Sequence, residues 1–369
     1  MLAELAVRDG YTVTALDYFG DSDLRALCPS HSLLRDYADK AYSPRALVTA
    51  SKSVAAAAVT YGASFENHPD LVEELSIGRV LLGNTPETLR RVRDPFELQR
   101  ILGEGGFSFP ETCLEITSHE SRVVRYLAQR WLWKPLRGGG GTHVRWLGDA
   151  DMGEGIVQEY EGIVQEYIKG MVCSFSFVAN GQDARVIGVT EQLIGLPEFG
   201  TGDFRWCGNL SPPRVPEAEL DAIWQQADAI AAYLTAHFGL RGLNGVDFVW
   251  CDKRIWVLEV NPRPSASTEL FDGPLFNWHV RSCLGESISP TRSLRPSRAS
   301  GKVVVFAPYD LTVGDTQHWR SHELRDIPHN NEHIRQGHPI CTALARAATS
   351  MECLQQLRAQ AELVRQWTE

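Results

Sequence analysis

Apolar residues over positions 2–11 (LAELAVRDGY) recur at helical spacing and stop at Gly10, and positions 12–16 then read as a short strand before a turn over 17–23. The same alternation returns further on. Positions 43–55 space their apolar residues as a helix, 56–60 form an apolar run, 61–69 a loop, 70–76 a helix and 79–82 another short strand. Strands alternating with helices predict a parallel α/β sheet. Such a unit begins on a strand, whereas this chain begins on a helix. The pattern therefore predicts a sheet whose first strand is absent, its place empty or taken by another segment.

Beyond Pro110 the pattern changes to β-rich: 131–136, then several strands between 163 and 192, then a long helix over 217–238. Positions 243–250 and 254–260 are apolar runs separated by Cys251-Asp252-Lys253, which reads as a hairpin. Residues 287–300, rich in Ser, Pro and Arg, read as a linker. A last unit holds a strand at 302–306, a Gly/Pro/His-rich stretch at 326–339 and a helix from about 350. The boundaries that follow are 1–92, 93–170, 171–285 and 286–369. The heptad EGIVQEY occurs at 154–160 and again, unchanged, at 161–167. An insertion of seven residues would turn every side chain of a strand to its other face. One copy must therefore leave the sheet, and the second, which leads into the following β-run, is the better strand.

The 369 residues carry 36 basic and 46 acidic side chains, a net charge of −10. That balance, with no crowding of Lys and Arg, disfavours a nucleic-acid surface. No apolar run reaches the length of a membrane span, and the first residues lack the pattern of an export signal. The eight cysteines never come within four positions of one another, so they form no zinc or redox pair. Reduced thiols and a cytoplasmic location are expected.

Two motifs carry chemistry. Lys134-Pro135-Leu136-Arg137 leads into Gly138, Gly139, Gly140 and Gly141, a stretch of bare backbone that can approach a polyphosphate beside a lysine. The lysine precedes the glycines, so this is not a Walker-type loop; a flexible hairpin tip is the plain alternative. The second motif pairs Asn244-Gly245-Val246-Asp247-Phe248 with Leu258-Glu259-Val260-Asn261-Pro262-Arg263. Glu259 and Asn261, two apart, share a strand face with Asp247 opposite, an oxygen set suited to Mg²⁺. Val246, Phe248, Leu258 and Val260 are expected to be buried on the other face. An exposed polar face of an ordinary hairpin is again the alternative.

In this order, followed by VQEY with Gly170 and Ser174, the motifs resemble the ATP-grasp superfamily of ATP-dependent carboxylate–amine ligases over residues 11–285. The tail, through Gly337-His338-Pro339-Ile340-Cys341-Thr342, looks like the small C-terminal domain of the biotin-carboxylase-like branch. The resemblance implies an ATP-grasp fold with a parallel-sheet domain before it. It implies ATP and Mg²⁺ as cofactors, with Lys134 on the α/β-phosphates and Gly138, Gly139, Gly140 and Gly141 over the β/γ-phosphates. Gln165, Glu166, Tyr167 and Ile168 would hold adenine, and backbone groups at 166–168 would read its edge. Asp247, Glu259 and Asn261 would hold the metal, and Arg263 would steady the transferred phosphoryl group or the carboxylate. The partners implied are a small carboxylate and an amine, with glutamate an example of the amino-acid partner, and a homodimer is allowed. The NPRPS segment is also similar to that of ligases joining glutamate to tyramine in furan-type cofactors.

The sequence departs from that pattern at Arg93-Asp94-Pro95, where the family carries an Asp-Lys lysine, leaving Arg93 or Arg100 as substitutes. Arg263 is followed by Pro264-Ser265-Ala266-Ser267-Thr268-Glu269, which does not fit bicarbonate. Candidate substrate residues are Ser64 and Glu66 in the loop after a strand, Arg205 and Asn209 in Phe204-Arg205-Trp206-Cys207-Gly208-Asn209, and Ser265 and Ser267 beside Arg263. His329, Glu332, His333 and His338 could suggest a metal, but Pro328, Gly337 and Pro339 make a surface loop the better reading. Two rivals to the ligase remain: a nucleotide-binding module without catalysis, and a small-molecule kinase.

Overall fold

The computed structural model describes residues 1–37, 42–114, 130–147, 161–287, 295 and 297–368. After the helix Leu2–Arg8, strands β1 (Ala15–Asp17) and β2 (Ser30–Ser32) pair in parallel, as do β3 (Ala58–Val59) and β4 (Val80–Leu81). Among the described residues no ladder joins the two pairs, so the expected single parallel sheet is two short ones. Ladders of two or three residues make few hydrogen bonds, and side-chain packing does the rest. Val48, Leu71, Val72, Leu75 and Leu89, from three helices, close over Tyr61 and Phe65. Those helices each begin with Pro, and Ser43 and Thr85 cap two of them by accepting the N–H of Ala46 and Thr88.

The helix Pro95–Glu104, capped by Asp94, leads to a small antiparallel sheet. Its strands are β5 (Thr112–Cys113), β6 (Trp131–Pro135), β7 (Arg145–Trp146) and β8 (Gly162–Glu166), in the order β5-β8-β6-β7. Strand β8 is the second copy of the heptad. The first copy, 154–160, and most of the linker at 287–300 lie outside the described residues.

The main sheet has eight strands. They are β9 (Met171–Asn180), β10 (Ala184–Ile194), β11 (Trp206–Ser211), β12 (Arg241–Cys251), β13 (Arg254–Asn261), β14 (Ala299–Phe306), and two from the tail. A separate tail pair is β15 (Leu311–Thr312) with β17 (His333–Ile334), while β16 (Leu324–Arg325) and β18 (Pro339–Ala347) extend the main sheet. Its order is β13-β12-β9-β10-β11-β14-β18-β16. The third and fourth units marked out in the sequence thus share one hydrogen-bonded sheet. The hairpin turn Asp252-Lys253 has positive φ at both residues, as a two-residue type I′ turn requires.

Strand β9 shows what the two faces do. Cys173, Phe175 and Phe177 point one way, into a core with Phe248 and with Ile223, Ala227, Ile230 and Leu234 of the helix Glu217–Phe238. Burying each phenylalanine contributes roughly 1.5–3 kcal/mol. Ser174 and Ser176 point the other way, onto a face that is polar at Asp247, Thr190, Asn209 and Lys302 and turns apolar further along, where Val178 and Leu243 pack with Leu270 and Phe271. The first unit is fastened to this sheet by His279. Its Nδ1 accepts the N–H of Leu243 (2.9 Å), which leaves Nε2 to donate to the carbonyl of Leu82 (3.1 Å). Burial pushes that imidazole's pKa down to about 4, in keeping with a neutral ring.

Candidate active site

The polar face gathers the metal-type residues at its β12–β13 edge. Register pairs Asp247 with Glu259 and Gly245 with Asn261, so the three oxygen-bearing side chains stand together. Leu258 is the exception to the expected burial. It is the extra residue of a β-bulge, since Asp247 pairs with Glu259 but Phe248 pairs with Val257, and it is only half-buried, whereas Val246, Phe248 and Val260 are buried. Asp247 accepts from Asn261 Nδ2 (3.0 Å) and from Gln192 Nε2 (2.7 Å). Gln192 was not marked by the sequence. It reaches Asp247 from β10 across the small Ser174 of β9.

Two cations face this pair. Arg93 donates to Glu259 (3.4 Å), to the carbonyl of Val260 (3.2 Å) and to Asn67 (3.1 Å), and its Nε is buried without a partner. Arg100, the other substitute considered, lies exposed on its helix and pairs with Glu104. Lys134 comes from β6, in the small sheet. Its Nζ donates to Gln165 Oε1 (3.0 Å), and Gln165 in turn donates to Thr112 (3.0 Å). The Gln165 side chain thus orients the lysine. The N–H groups of Glu166 and Tyr167 already donate to Glu111 and Arg130, while that of Ile168 meets no acceptor among the described residues. Tyr167 contributes its ring, which meets Trp146 at 4.8 Å, and Arg130 lies 3.5 Å over that indole.

The charges are unequal. Burial opposes the charge of Glu259, but Arg93, Lys134, the hydrogen bond with Asp247 and Arg263 outweigh it and hold the carboxyl down at about 2. Asp247, buried beside that anion, is pushed up to about 8. Burial also lowers the Lys134 pKa, partly offset by Glu259. Two carboxylates sharing one proton, with Asn261 alongside, are a donor set that a divalent cation fits by displacing the proton.

Arg263 continues the row. Its Nε donates to Glu66 Oε1 (2.7 Å) and Nη2 to Asn261 Oδ1 (3.3 Å). Glu66 is 4% exposed, and its Oε2 is buried without a partner. The loop that carries it is strained: Ser64 has φ +76° and a hydroxyl contact with Tyr42 (2.6 Å). Ser265 and Ser267 bond each other (3.1 Å) and Ser176 (2.9 and 3.4 Å). Asn209 is turned inward, donating to Thr190 (2.9 Å) and accepting from Trp206 (3.1 Å), so it braces the sheet. The four glycines arch beside this cluster. Gly140 accepts from Trp206 N–H (3.0 Å), and Gly141, at φ +71°, passes so close to Phe204 that a Cβ would stand 1.8 Å from its carbonyl oxygen. The histidine-rich stretch is a turn and strand, with His329 bonded to the carbonyl of Gly20 (2.8 Å) and Glu332 paired to Arg35.

Residues 92–267 match the ATP-grasp domain. An uncharacterised protein of Methanocaldococcus jannaschii is 22% identical over 273 residues, 72% of this chain; the match spans 64% of that relative's length. Two solved structures are similar in fold. The biotin carboxylase domain of Hydrogenobacter thermophilus 2-oxoglutarate carboxylase, in complex with MgADP, ADP and bicarbonate, superposes with a TM-score of 0.73 at 14% identity, covering 98% of this chain and 86% of that one. The N5-carboxyaminoimidazole synthetase of Staphylococcus aureus, complexed with ADP, gives 0.70 at 16%, covering 98% and 93%. The chain carries an ATP-grasp domain, and its fold is that of these structures.

Proposed function

We infer, from the ATP-grasp domain that residues 92–267 form, that this protein is an ATP-dependent carboxylate–amine ligase. A substrate carboxylate attacks the γ-phosphorus of ATP, releasing ADP and leaving an acyl phosphate. An amine then adds to the carbonyl and phosphate leaves, giving an amide. One observation carries the reading: Asp247, Glu259, Asn261, Arg263, Lys134 and Arg93, from both sheets and the end of the helix that precedes them, converge in one electrostatically coupled cluster.

Asp247, Glu259 and Asn261 would hold Mg²⁺, which when bound neutralises phosphate charge. Lys134, held by Gln165, points a single cation at the phosphates, while the glycine loop offers backbone N–H groups above them. Ile168 N–H is the donor left for the adenine edge. Arg93 supports the nucleotide site in place of the lysine missing from its segment, its orphaned Nε being the free donor. Arg263 clamps the reacting carboxylate or phosphoryl group, and such a site accelerates mainly by positioning and charge. The unpartnered Oε2 of Glu66, beside Arg263, suits the N–H groups of an amine. An amino acid such as glutamate presents both chemistries, and we take it as one substrate in the biosynthesis of a cofactor or other small molecule. The eight free cysteines support a reducing, cytoplasmic setting.

The test is product analysis with Mg-ATP and pooled ¹⁸O-labelled carboxylic acids, with and without pooled amines. ADP, with label reaching phosphate only when acid and amine are both present, is expected. AMP would refute the mechanism. A stable phosphorylated acid formed without amine would make the protein a kinase, and nucleotide binding without turnover would make it a binding module.

A further inference from the structure

The segment joining β10 to β11 ends in a clamped peptide. Arg205 N–H donates to Gly202 (3.1 Å), its carbonyl accepts from Gly195 (2.9 Å), and the next N–H, of Trp206, goes to Gly140 of the glycine loop. Asp203, two residues earlier, takes a left-handed φ of +48°. The backbone is thus fixed against the phosphate side. The side chain runs the other way. Its guanidinium lies 4.0 Å above the ring of Phe306, the buried last residue of β14. Its Nη1 lies 3.6 Å from where a Cβ on Gly337 would stand.

Nothing in the described residues balances that charge. Arg214 pairs with Glu191, Arg263 with Glu66 and Lys302 with Glu269, all on or beside the same sheet. Arg205 has no carboxylate partner among the described residues, in a chain with ten more acidic than basic residues. Burial lowers its pKa with no counter-charge to offset the effect. Stacking on an aromatic ring returns only part of what desolvation takes.

We propose that Arg205 binds a second oxyanion group, a carboxylate or a phosphomonoester, on a substrate whose reacting carboxylate sits at Arg263. The planar fork of a guanidinium holds either group through paired donors. Strand order sets the span. Asp247 on β12 and Trp206 at the start of β11 are three strands apart, about 14 Å, and Trp206 pairs four residues beyond the Asp247-Ser174-Thr190 row, about 13 Å along the strands, so the two positions stand about 20 Å apart. The substrate is therefore extended and acidic at its far end, and an ion the size of bicarbonate cannot reach both groups. This deepens the ligase reading and rests on it.

The experiment is calorimetric titration of the full chain, saturated with Mg-ADP, using dodecanedioate and glycerol 3-phosphate as probes. Parent, Arg205→Ala and Arg205→Gln are compared, with thermal melts to show that each variant is folded. At least one probe should bind the parent at least tenfold more tightly than either variant, while Mg-ADP affinity moves less than twofold; which probe wins identifies the anion. Equal probe binding in parent and variants, no probe binding to the parent, or an equal loss of Mg-ADP affinity would each overturn the proposal. A parent that fails to bind Mg-ADP, yet binds a probe in an Arg205-dependent way, would refute the ligase reading and leave the anion subsite standing.

Discussion

Gly141→Ala places a methyl group where the backbone forbids it. The new Cβ would lie 1.8 Å from the carbonyl oxygen of Phe204, and the clash is with main chain, so no rotamer relieves it. Reaching an ordinary separation of about 3.2 Å means moving the glycine loop or the 204–206 segment by more than 1 Å. The residue also sits at φ +71°, where a side chain costs about 1–2 kcal/mol, and overpacking adds about 1–3 kcal/mol. If nucleotide binding requires the loop in its present place, these sum to roughly 2–5 kcal/mol, and Mg-ADP should bind at least about 25-fold more weakly. Gly139→Ala is the internal control, because its Cβ meets nothing within 4 Å and its φ is not positive. Nucleotide titration of the two variants, with melts to show both folded, makes the comparison. Equal affinities would refute the idea that the loop's contact with Phe204 shapes the phosphate site.

Two further predictions follow from the charges. Glu259→Gln should abolish ADP formation while thermal unfolding stays cooperative; turnover at the parent rate would remove Glu259 from the metal site. Burial, together with Asp326, Asp17, Asp23 and Glu332, pushes the Asp21 pKa up to about 8. The folded state then keeps a proton that the unfolded state has lost, so stability from this group falls as pH rises from about 4 to 8. Asp21→Asn should flatten that decline in melts at pH 5.5 and 8.5, and an unchanged slope would exclude the group as its source.

The parts of this fold readable in the sequence were those set by local chemistry. The helix at 217–238 is Ala-rich and stops at Gly239, and the hairpin turn Asp252-Lys253 follows from the two apolar runs around it. Asp247, Glu259 and Asn261 were visible because strand period alone puts them on one face. Gln192 was not, since it meets Asp247 only through the order β12-β9-β10 and the smallness of Ser174. The bulge at Leu258 was equally hidden, because no residue type there announces an extra position. Gln165 and Asn209 show a further limit. The resemblance places Gln165 at the adenine strand and the Arg205–Asn209 segment suggests a substrate contact, while in the fold their amides bond Lys134 and Thr112, and Thr190 and Trp206, which the sequence does not reveal. Which way a polar side chain turns is decided by partners brought in from elsewhere.

The continuous ladder from β11 to β14 bears on how this protein can be cut. Gly208, Asn209, Leu210 and Ser211 face Val303, Lys302, Gly301 and Ser300 across it. A truncation after residue 286 would strip β11 of that neighbour and leave a row of unanswered N–H and C=O groups beside bared apolar residues such as Leu210. The residue-level Ser/Pro/Arg signal at 287–300 invites a cloning boundary there, yet the product would be a sticky edge in place of a smaller enzyme. Insertions or fusions are better tolerated at the exposed hairpin turn Asp252-Lys253, which outside its own strands is held by the side chain of Gln226 donating to the Lys253 carbonyl (3.0 Å).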